Sequence, residues 1–289
     1  MKEKNKDIRL SGIDEQSRKI FSGGSFVWKK SNEDIWNDME KAIEVGSFSE
    51  IKRKSNKYSI LAIAAGIAIL IGITGFMRFY TKNITTIPGT HLMVMLPDKS
   101  TVNLNAESFI SFKPYWWRFS RQVKFEGEGL FEVEKGKKFT VFSKLGSTTV
   151  VGTSFNIFSR DEVYRVTCIS GKVRVASKEN EEVLLNPDTK ALVQPDGRID
   201  VFKNIETIPE ISWKNNIFLF TASPINEVFK EIERQYGVTI KANIDNYILY
   251  TGNFTKNQNV EEILSYICPA LGYKYIRESN KVYQIIPND

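Results

Sequence analysis

The chain of 289 residues has only two cysteines and one histidine. Cys168 lies in a strand-like run and Cys268 in a helix-like run, so the sequence offers neither a disulfide framework nor the ligand spacing of a metal site. We therefore expect two buried free thiols, no metal and no cofactor. His91 has no Ser, Cys or carboxylate pattern around it that would complete a catalytic set, and we assign it no role.

The chain also lacks a large excess of either charge. Its formal net charge is +6, but acidic residues are interspersed among the basic ones, and no recognised nucleic-acid-binding motif occurs. We expect the excess of cations to hold the chain at a membrane and to keep it soluble. No direct nucleic-acid partner is expected.

Long apolar runs are scarce, and one stands out. It extends from Tyr58 to Met77 without a charge, which is long enough to cross a bilayer as a helix. More than fifty residues precede it and residues 75–78 offer no cleavage site, so it does not resemble a signal peptide. Its length and its lack of an amphipathic face disfavour a buried core helix. We predict a transmembrane helix over residues 58–79.

The cations that flank this run predict its orientation. They are Lys52, Arg53, Lys54 and Lys57 on the N-terminal side, and Arg78 and Lys82 on the C-terminal side. Because the more basic flank usually remains in the cytoplasm, we expect a cytoplasmic segment over residues 1–57 and an exported C-terminal part.

The cytoplasmic segment contains one pattern that is typical of a helix. Ser31 is a suitable cap, Glu33 and Asp34 fall in the first turn, and Gly46 would end the helix. Its apolar residues fall on one face, which is too small to fold alone: Ile35, Trp36, Met39 and Ile43. We interpret this face as a docking surface for a partner protein, with a linker helix on the lipid headgroups as the alternative. For residues 1–25 we expect weak or partner-dependent order.

Residues 88–203 consist of short alternating strands separated by turn residues. Examples are HLMVML, TVNLNA, QVKFEGE, LFEVE, FTVFS, SFNIFS and YRVTCIS. The regular spacing predicts an all-β domain, either a sandwich or a solenoid-like stack.

Two constellations in this segment could carry chemistry. Glu126, Glu128, Glu132 and Glu134 cluster, and paired carboxylates hydrolyse glycosidic bonds, but alternation with apolar residues favours a strand with one wet face. The stretch Lys113–Arg118 (KPYWWR) interleaves aromatic residues with cations. This pattern is typical of a surface that binds a sugar, a partner protein or the membrane interface. It is equally typical of a loop whose aromatic rings cap the core.

Residues 213–287 predict a small α+β domain built from a duplicated β-α-β unit. Ser223 and Pro224 open the first helix and Gly237 closes it, and a shift of 35 residues superimposes its apolar face on that of a second helix. Asn259 and Glu262 form a capping box for the second helix. Both helices should lie on one side of a small sheet.

Five motifs of the β-rich segment occur in the order and at the spacing of a known family. They are residues 89–106, 121–128 (RQVKFEGE), 131–133 (FEV), 151–157 (VGTSFNI) and 166–175, which contains Gly171-Lys172-Val173. Together they resemble the periplasmic domain of FecR-type anti-sigma regulators. Residues 225–238 and 252–254 resemble the small domain that follows it in related regulators, which is similar to the signalling module of secretins and TonB-dependent receptors.

The resemblance implies a single-pass anti-sigma regulator of the bacterial inner membrane, without enzymatic activity. It would relay a signal from the signalling domain of an outer-membrane TonB-dependent receptor to an extracytoplasmic-function (ECF) sigma factor, and so control transcription of a transport operon. Inhibition, protection and activation of the sigma factor all stay open, as does the imported substrate, an iron chelate or a glycan. The alternative is a periplasm-facing envelope-binding or structural module without a transcriptional role.

Some relatives break their own backbone at a Gly-Thr bond, where the threonine hydroxyl attacks the preceding carbonyl. Gly152-Thr153 matches that motif, so the resemblance makes it a candidate self-cleavage bond. A small residue and a hydroxyl at the start of a strand is the simpler explanation, and we favour it.

Overall fold

The computed structural model describes residues 29–44, 57–245 and 247–288. Two helices come first, α1 (Asn32–Glu44) and α2 (Lys57–Phe79). Among the described residues, α2 is the one helix whose length and composition would let it cross a membrane, and none of its apolar stretch is buried. The predicted stop at Gly46, the cations at positions 52–54 and the segment 1–25 lie outside the described residues.

Thirteen strands follow α2 and form one hydrogen-bonded network. They are β1 (Lys82–Thr85), β2 (Leu92–Met95), β3 (Thr101–Leu104), β4 (Phe109–Phe112), β5 (Arg121–Glu132), β6 (Phe139–Phe142), β7 (Gly146–Val150), β8 (Ser154–Arg160), β9 (Val163–Ser170), β10 (Val173–Ser177), β11 (Glu182–Leu185), β12 (Thr189–Val193) and β13 (Ile199–Lys203).

The network is a sandwich of two sheets that share strand β5. One sheet has the order β1-β4-β5-β6-β7-β10-β11 and the other β2-β3-β5-β8-β9-β12-β13. Within these described pairings, β5 and β6 are parallel and every other pair is antiparallel, which is the pattern of a sandwich rather than of a solenoid. Of the two predicted all-β architectures, the sandwich is the one observed.

Strand β5 changes sheets at Gly127. Its first half pairs with β4 and β6, and its second half pairs with β3 and β8. Gly127 has φ +107°, and a Cβ atom there would lie 2.4 Å from Ser108 Oγ. Only glycine fits this bend. The sequence suggested two separate strands here, QVKFEGE and LFEVE, whereas the chain continues through the bend as one.

The core of the sandwich is rich in aromatic residues. Phe131 stacks on Phe155 with ring centroids 5.1 Å apart and meets the ring of Phe125 edge-on at 5.1 Å. All three rings are fully buried. Cys168 is a buried free thiol in the same core, as predicted. Strands β1 and β4 were not predicted.

A C-terminal domain follows the sandwich and packs around a second core. Its elements are α3 (Ile208–Ile211), β14 (Ile217–Pro224), α4 (Ile225–Tyr236), β15 (Thr239–Ala242), β16 (Leu249–Thr255), α5 (Val260–Ala270), β17 (Tyr273–Ser279) and β18 (Val282–Pro287). The order β-α-β therefore occurs twice in succession.

The strands of this domain form two sheets instead of the single small sheet that we expected. Strand β14 pairs with β16, and β15 pairs in parallel with β18, which in turn pairs with β17. Helix α4 contacts β14, β15 and β16, so its apolar face packs against both sheets. Ser223 belongs to β14 and does not cap α4, whose first residue follows Pro224 without a side-chain cap. The other local helix signals are confirmed. Gly237 ends α4 in the left-handed region, and Asn259 and Glu262 form the capping box of α5.

We predict that Gly127→Ala destabilises the chain by about 3 kcal/mol or more, because it combines an unfavourable φ with overlap against Ser108. Denaturant unfolding of the full chain in detergent measures this loss. Gly272→Ala is the matched control, since Gly272 has φ +78° and no atom within 4 Å of the added Cβ. It should cost about 1 kcal/mol, and equal losses for the two variants would contradict the steric explanation.

Candidate functional site

Helix α1 carries the apolar face that the sequence predicted to bind a partner. We call Ile35, Trp36, Met39 and Ile43 the docking face. The Asp34 backbone N–H donates to Ser31 Oγ at 3.2 Å, and the Ser31 N–H donates back to the Asp34 carboxylate at 3.0 Å. None of the helix is buried, and Trp36 is 69% exposed. Thirteen residues are marginal for an isolated helix, so a partner that covers this face would also stabilise it. Its role as a contact surface stays a prediction.

A buried polar cluster joins the sandwich to the C-terminal domain. We call it the interdomain cluster, and it consists of Asn105, Glu128, Asn156, Glu231 and Gln235. Gln235 lies at its centre and is 1% exposed. Its amide Nε2 donates to Asn105 Oδ1 at 2.7 Å and to Glu231 Oε1 at 2.8 Å. Asn105 follows β3 whereas Gln235 belongs to α4, so one side chain links the two domains.

Glu128 is the buried carboxylate of this cluster, immediately after the bend at Gly127. Its two oxygens accept hydrogen bonds from Asn105 Nδ2 at 2.8 Å and from Asn156 Nδ2 at 3.1 Å. Burial, followed by the negative charge of Glu231, raises the pKa of Glu128 above its ordinary 4.5. The Arg160 guanidinium acts in the opposite direction. The site therefore holds a carboxylate that is costly to keep charged.

The segment that leads from β1 into β2 also contacts the C-terminal domain. We call residues 86–91 the arm. The Gly89 N–H donates to the Arg234 carbonyl at 2.8 Å, and Lys256 Nζ donates to the Gly89 carbonyl at 3.1 Å. Lys256 Nζ also donates to the Gln235 carbonyl. The arm and Lys256 thus provide partners for carbonyls of the last turn of α4, which its own helix cannot satisfy.

His91 ends the arm and packs into the same junction. Its Nε2 lies 3.1 Å from Gln235 Oε1, and its ring meets Trp213 edge-on at 5.6 Å. Burial lowers the pKa of His91 below 6.5, so the ring is neutral at neutral pH. No role could be predicted for His91 from the sequence, because Gln235 and Trp213 are more than 100 residues away from it in the chain.

An open cleft of about 430 Å³ lies beside the interdomain cluster. The rings of Phe158, Trp213 and Phe220 contribute to its walls, together with Glu231 and Arg234. Arg234 and Glu231 form an ion pair at 3.0 Å, and both side chains are about 10% exposed. Both domains line this cleft, so a change in their packing would change its form.

The Gly152-Thr153 bond lies just before β8. The Thr153 N–H donates to the Val133 carbonyl at 3.2 Å, and the Thr153 hydroxyl donates to the Lys172 carbonyl at 3.0 Å. Thr153 is 5% exposed. The hydroxyl has a structural hydrogen bond here, and self-cleavage at this bond stays the untested alternative.

The four clustered glutamates do not share one environment. Glu126, Glu132 and Glu134 are exposed, as expected for the wet face of a strand. Glu128 is the exception, because residues 127–131 of β5 are buried on both faces of the strand. Leu130, two residues further along, belongs to the core of the C-terminal domain.

Sequence reasoning therefore missed the interdomain cluster. Glu231, Arg234 and Gln235 lie outside the apolar stripe of α4, where an amphipathic helix is ordinarily polar and meets solvent, so no local signal marked their burial. Their burial becomes visible only when the partners on the sandwich are known, because buried polar side chains need hydrogen-bond partners.

Comparisons with known proteins agree with this architecture. The family model described as FecR protein matches residues 82–174, and the model described as FecR, C-terminal matches residues 217–284. Two crystal structures, each of a candidate anti-sigma factor from Parabacteroides distasonis, are similar to this chain at 26% and 27% identity and a TM-score of 0.65. They cover 72% and 73% of this chain and 100% of their own. No curated protein matches it.

We predict that Glu128→Gln changes how stability depends on pH. Above pH 4.5 the folded chain holds a proton at Glu128 more strongly than the unfolded chain does, so this group's contribution to stability falls as pH rises. The free energy of unfolding of the variant should lack this decrease with rising pH. A rotated amide of Asn156, whose Oδ1 has no hydrogen-bond partner, can accept from the new side chain.

Denaturant unfolding of both chains from pH 4.5 to about pH 8 tests this, with the ordinary pKa as the lower limit. The free energy of unfolding of the variant minus that of the parent should increase with pH. Glu126→Gln, at an exposed position of the same strand, is the control. A flat difference for Glu128→Gln would contradict the raised pKa.

We predict that Gln235→Leu weakens the docking of α4 by about 2 to 3 kcal/mol, because buried polar atoms of Asn105 and Glu231 lose a partner. The readout is limited proteolysis of residues 204–207, between β13 and α3, which should become markedly faster. Gln194→Leu is the control, since the Gln194 amide donates to Asp200 of its own hairpin. Unchanged cleavage would show that Gln235 does not hold the domains together.

Proposed function

Since this chain belongs to the FecR family, through a FecR domain followed by a FecR C-terminal domain, we propose that it is a single-pass anti-sigma regulator of the bacterial inner membrane. The N-terminal segment is cytoplasmic and binds an ECF sigma factor. The exported domains receive a signal from the signalling domain of an outer-membrane TonB-dependent receptor. The chain acts by binding, not by catalysis.

The docking face of α1 supports the cytoplasmic half of this proposal. Trp36, Met39 and Ile43 are at least half exposed on a short capped helix. A short amphipathic helix of this kind fits a groove on a partner, and an aromatic anchor commonly supplies much of the binding energy. Trp36 is the anchor in our proposal.

The C-terminal domain supports the exported half. Its β14–β16 sheet has two strands in the described part of the chain, so each strand has an edge without a neighbouring strand. Leu249 on β16 is 56% exposed. A sheet edge of this kind accepts an added strand from another protein, and this is the mode of receptor contact that we propose.

The contacts of the arm connect helix α4 of the C-terminal domain to the end of the membrane helix α2. Gly89 is hydrogen-bonded to α4, and it lies only ten residues after the last residue of α2, Phe79. A shift of α4 against the sandwich would pull on the arm and on β1, which follows α2 almost directly. A receptor that binds the C-terminal domain can therefore act on the end of the membrane helix.

Trp36→Ala tests the proposal, with Lys41→Ala on the opposite face of α1 as the matched control. The full chain is purified from its native host and the sigma subunits that accompany it are quantified by mass spectrometry. We expect Trp36→Ala to weaken binding by at least 2 kcal/mol, about 30-fold, and Lys41→Ala to have little effect.

Transcript profiling of the same strains is the second readout. Trp36→Ala should alter expression of one transport operon. Unchanged sigma-factor recovery together with unchanged transcripts would refute the regulator and favour an envelope-binding module. A Trp36→Ala chain that instead loses only its lipid binding would identify α1 as a membrane-surface linker.

A further inference from the structure

A loop of the sandwich lies against the last turn of α2. We call residues 113–119 (KPYWWRF) the aromatic loop, and it contains a short 3₁₀ turn at Pro114–Trp116. The sequence left it open whether these rings cap the core or face a partner. Trp117 caps the core against Phe112 and Phe139, whereas Tyr115 and Phe119 are 51% and 68% exposed.

Contacts with α2 fix the position of this loop along the helix axis. The Tyr115 ring lies 5.9 Å from the ring of Phe76 and 5.3 Å from that of Tyr80. The Arg78 guanidinium lies over the Trp116 ring at 5.1 Å. The loop is thus level with residues 76–80, which span one helical turn.

That turn is where a membrane-spanning α2 would leave the hydrocarbon. The helix from Tyr58 to Phe79 has 22 residues, which at about 1.5 Å per residue is just over the ~30 Å of a hydrocarbon core. Arg78 is the first charge after the apolar run. Side chains level with residues 76–80 therefore lie at the depth of the lipid headgroups.

The composition of the loop fits this depth. Trp and Tyr are favoured at the membrane interface, where one part of the ring is apolar and the other wet. The exposed ring of Phe119 packs on the partly buried ring of Trp116 with centroids 4.5 Å apart. No Asp or Glu occurs between residues 108 and 125 or between 78 and 97, whereas Lys113 and Arg118 flank the rings. Anionic lipid headgroups would attract this surface.

We propose that the aromatic loop inserts into the headgroup region of an anionic phospholipid bilayer and seats the sandwich on the membrane. Tyr115, Trp116 and Phe119 enter the interface, and Lys113 and Arg118 pair with lipid phosphates. This inference rests on the proposed membrane crossing of α2. The sandwich would then be fixed to the exit of the helix at a second point besides the chain itself.

Insertion of the aromatic loop into the headgroup region is tested with nitroxide labels on the full chain. The chain is held in nanodiscs of phosphatidylethanolamine and phosphatidylglycerol. Cysteines are introduced one at a time by Phe119→Cys in the loop, Ile73→Cys inside the span and Tyr266→Cys on α5. Ile73 and Tyr266 are 52% and 67% exposed, so all three sites accept a label. The native thiols are buried, and the parent chain measures their background.

Accessibility to oxygen and to a water-soluble nickel chelate then reports the depth of each label. At position 119 we expect nickel accessibility at least threefold below that at position 266, between the values for positions 73 and 266. Equal nickel accessibility at positions 119 and 266, with position 73 shielded, would show that the loop does not insert into the membrane. The membrane crossing of α2 would stand. A water-accessible label at position 73 would overturn the membrane crossing itself, and the seat with it.

Charge reversal separates the contribution of the cations from that of the rings. Lys113→Glu combined with Arg118→Glu, in the chain labelled at position 119, should raise nickel accessibility at least twofold in anionic nanodiscs. The control is Lys144→Glu combined with Lys178→Glu, at exposed positions of the sandwich, which should change nothing. Equal effects of the two pairs would show that the loop is not held by lipid phosphates.

Discussion

The bend of β5 at Gly127 is the constraint on which the rest of the exported structure depends. Glycine at this position has no Cβ atom to overlap with Ser108, so the strand can bend there, leaving one sheet and entering the other. The two sheets therefore close over a single aromatic core. The same bend turns Glu128 and Leu130 towards the C-terminal domain, so one backbone feature organises the sandwich and also creates its docking surface.

The docking surface relies on buried polar contacts as well as on apolar ones. A buried carboxylate such as Glu128 adds little net stability, because desolvation offsets much of what its hydrogen bonds contribute. Its two Asn partners and the central Gln235 instead require one arrangement of α4 on the sandwich. Such contacts specify one docking geometry without adding much net stability.

Local signals predicted much of this chain. The Ser31 cap, the uncharged run of α2, the Asn259–Glu262 box and Gly237 each depend on residues within a few positions, and each was read correctly. The sequence divided β5 at Gly129 into two strands, because only the contact of Gly127 with Ser108 reveals one continuous, bent strand. The interdomain cluster was not predicted from the sequence, because Asn105 and Gln235 are 130 residues apart in the chain. No local pattern reports such a pairing.

The contacts of Glu128 also imply an order of assembly. Synthesis from the N-terminus completes every strand of the sandwich by Lys203, before any residue of α4 has been made. Until that helix arrives, the carboxylate has no Glu231 beside it and remains hydrated, so a nascent sandwich tolerates its charge well. Burial of the carboxylate therefore requires α4, and a chain truncated after the thirteenth strand would leave Glu128 exposed to solvent beside Arg160, without the helix that covers it in the full chain.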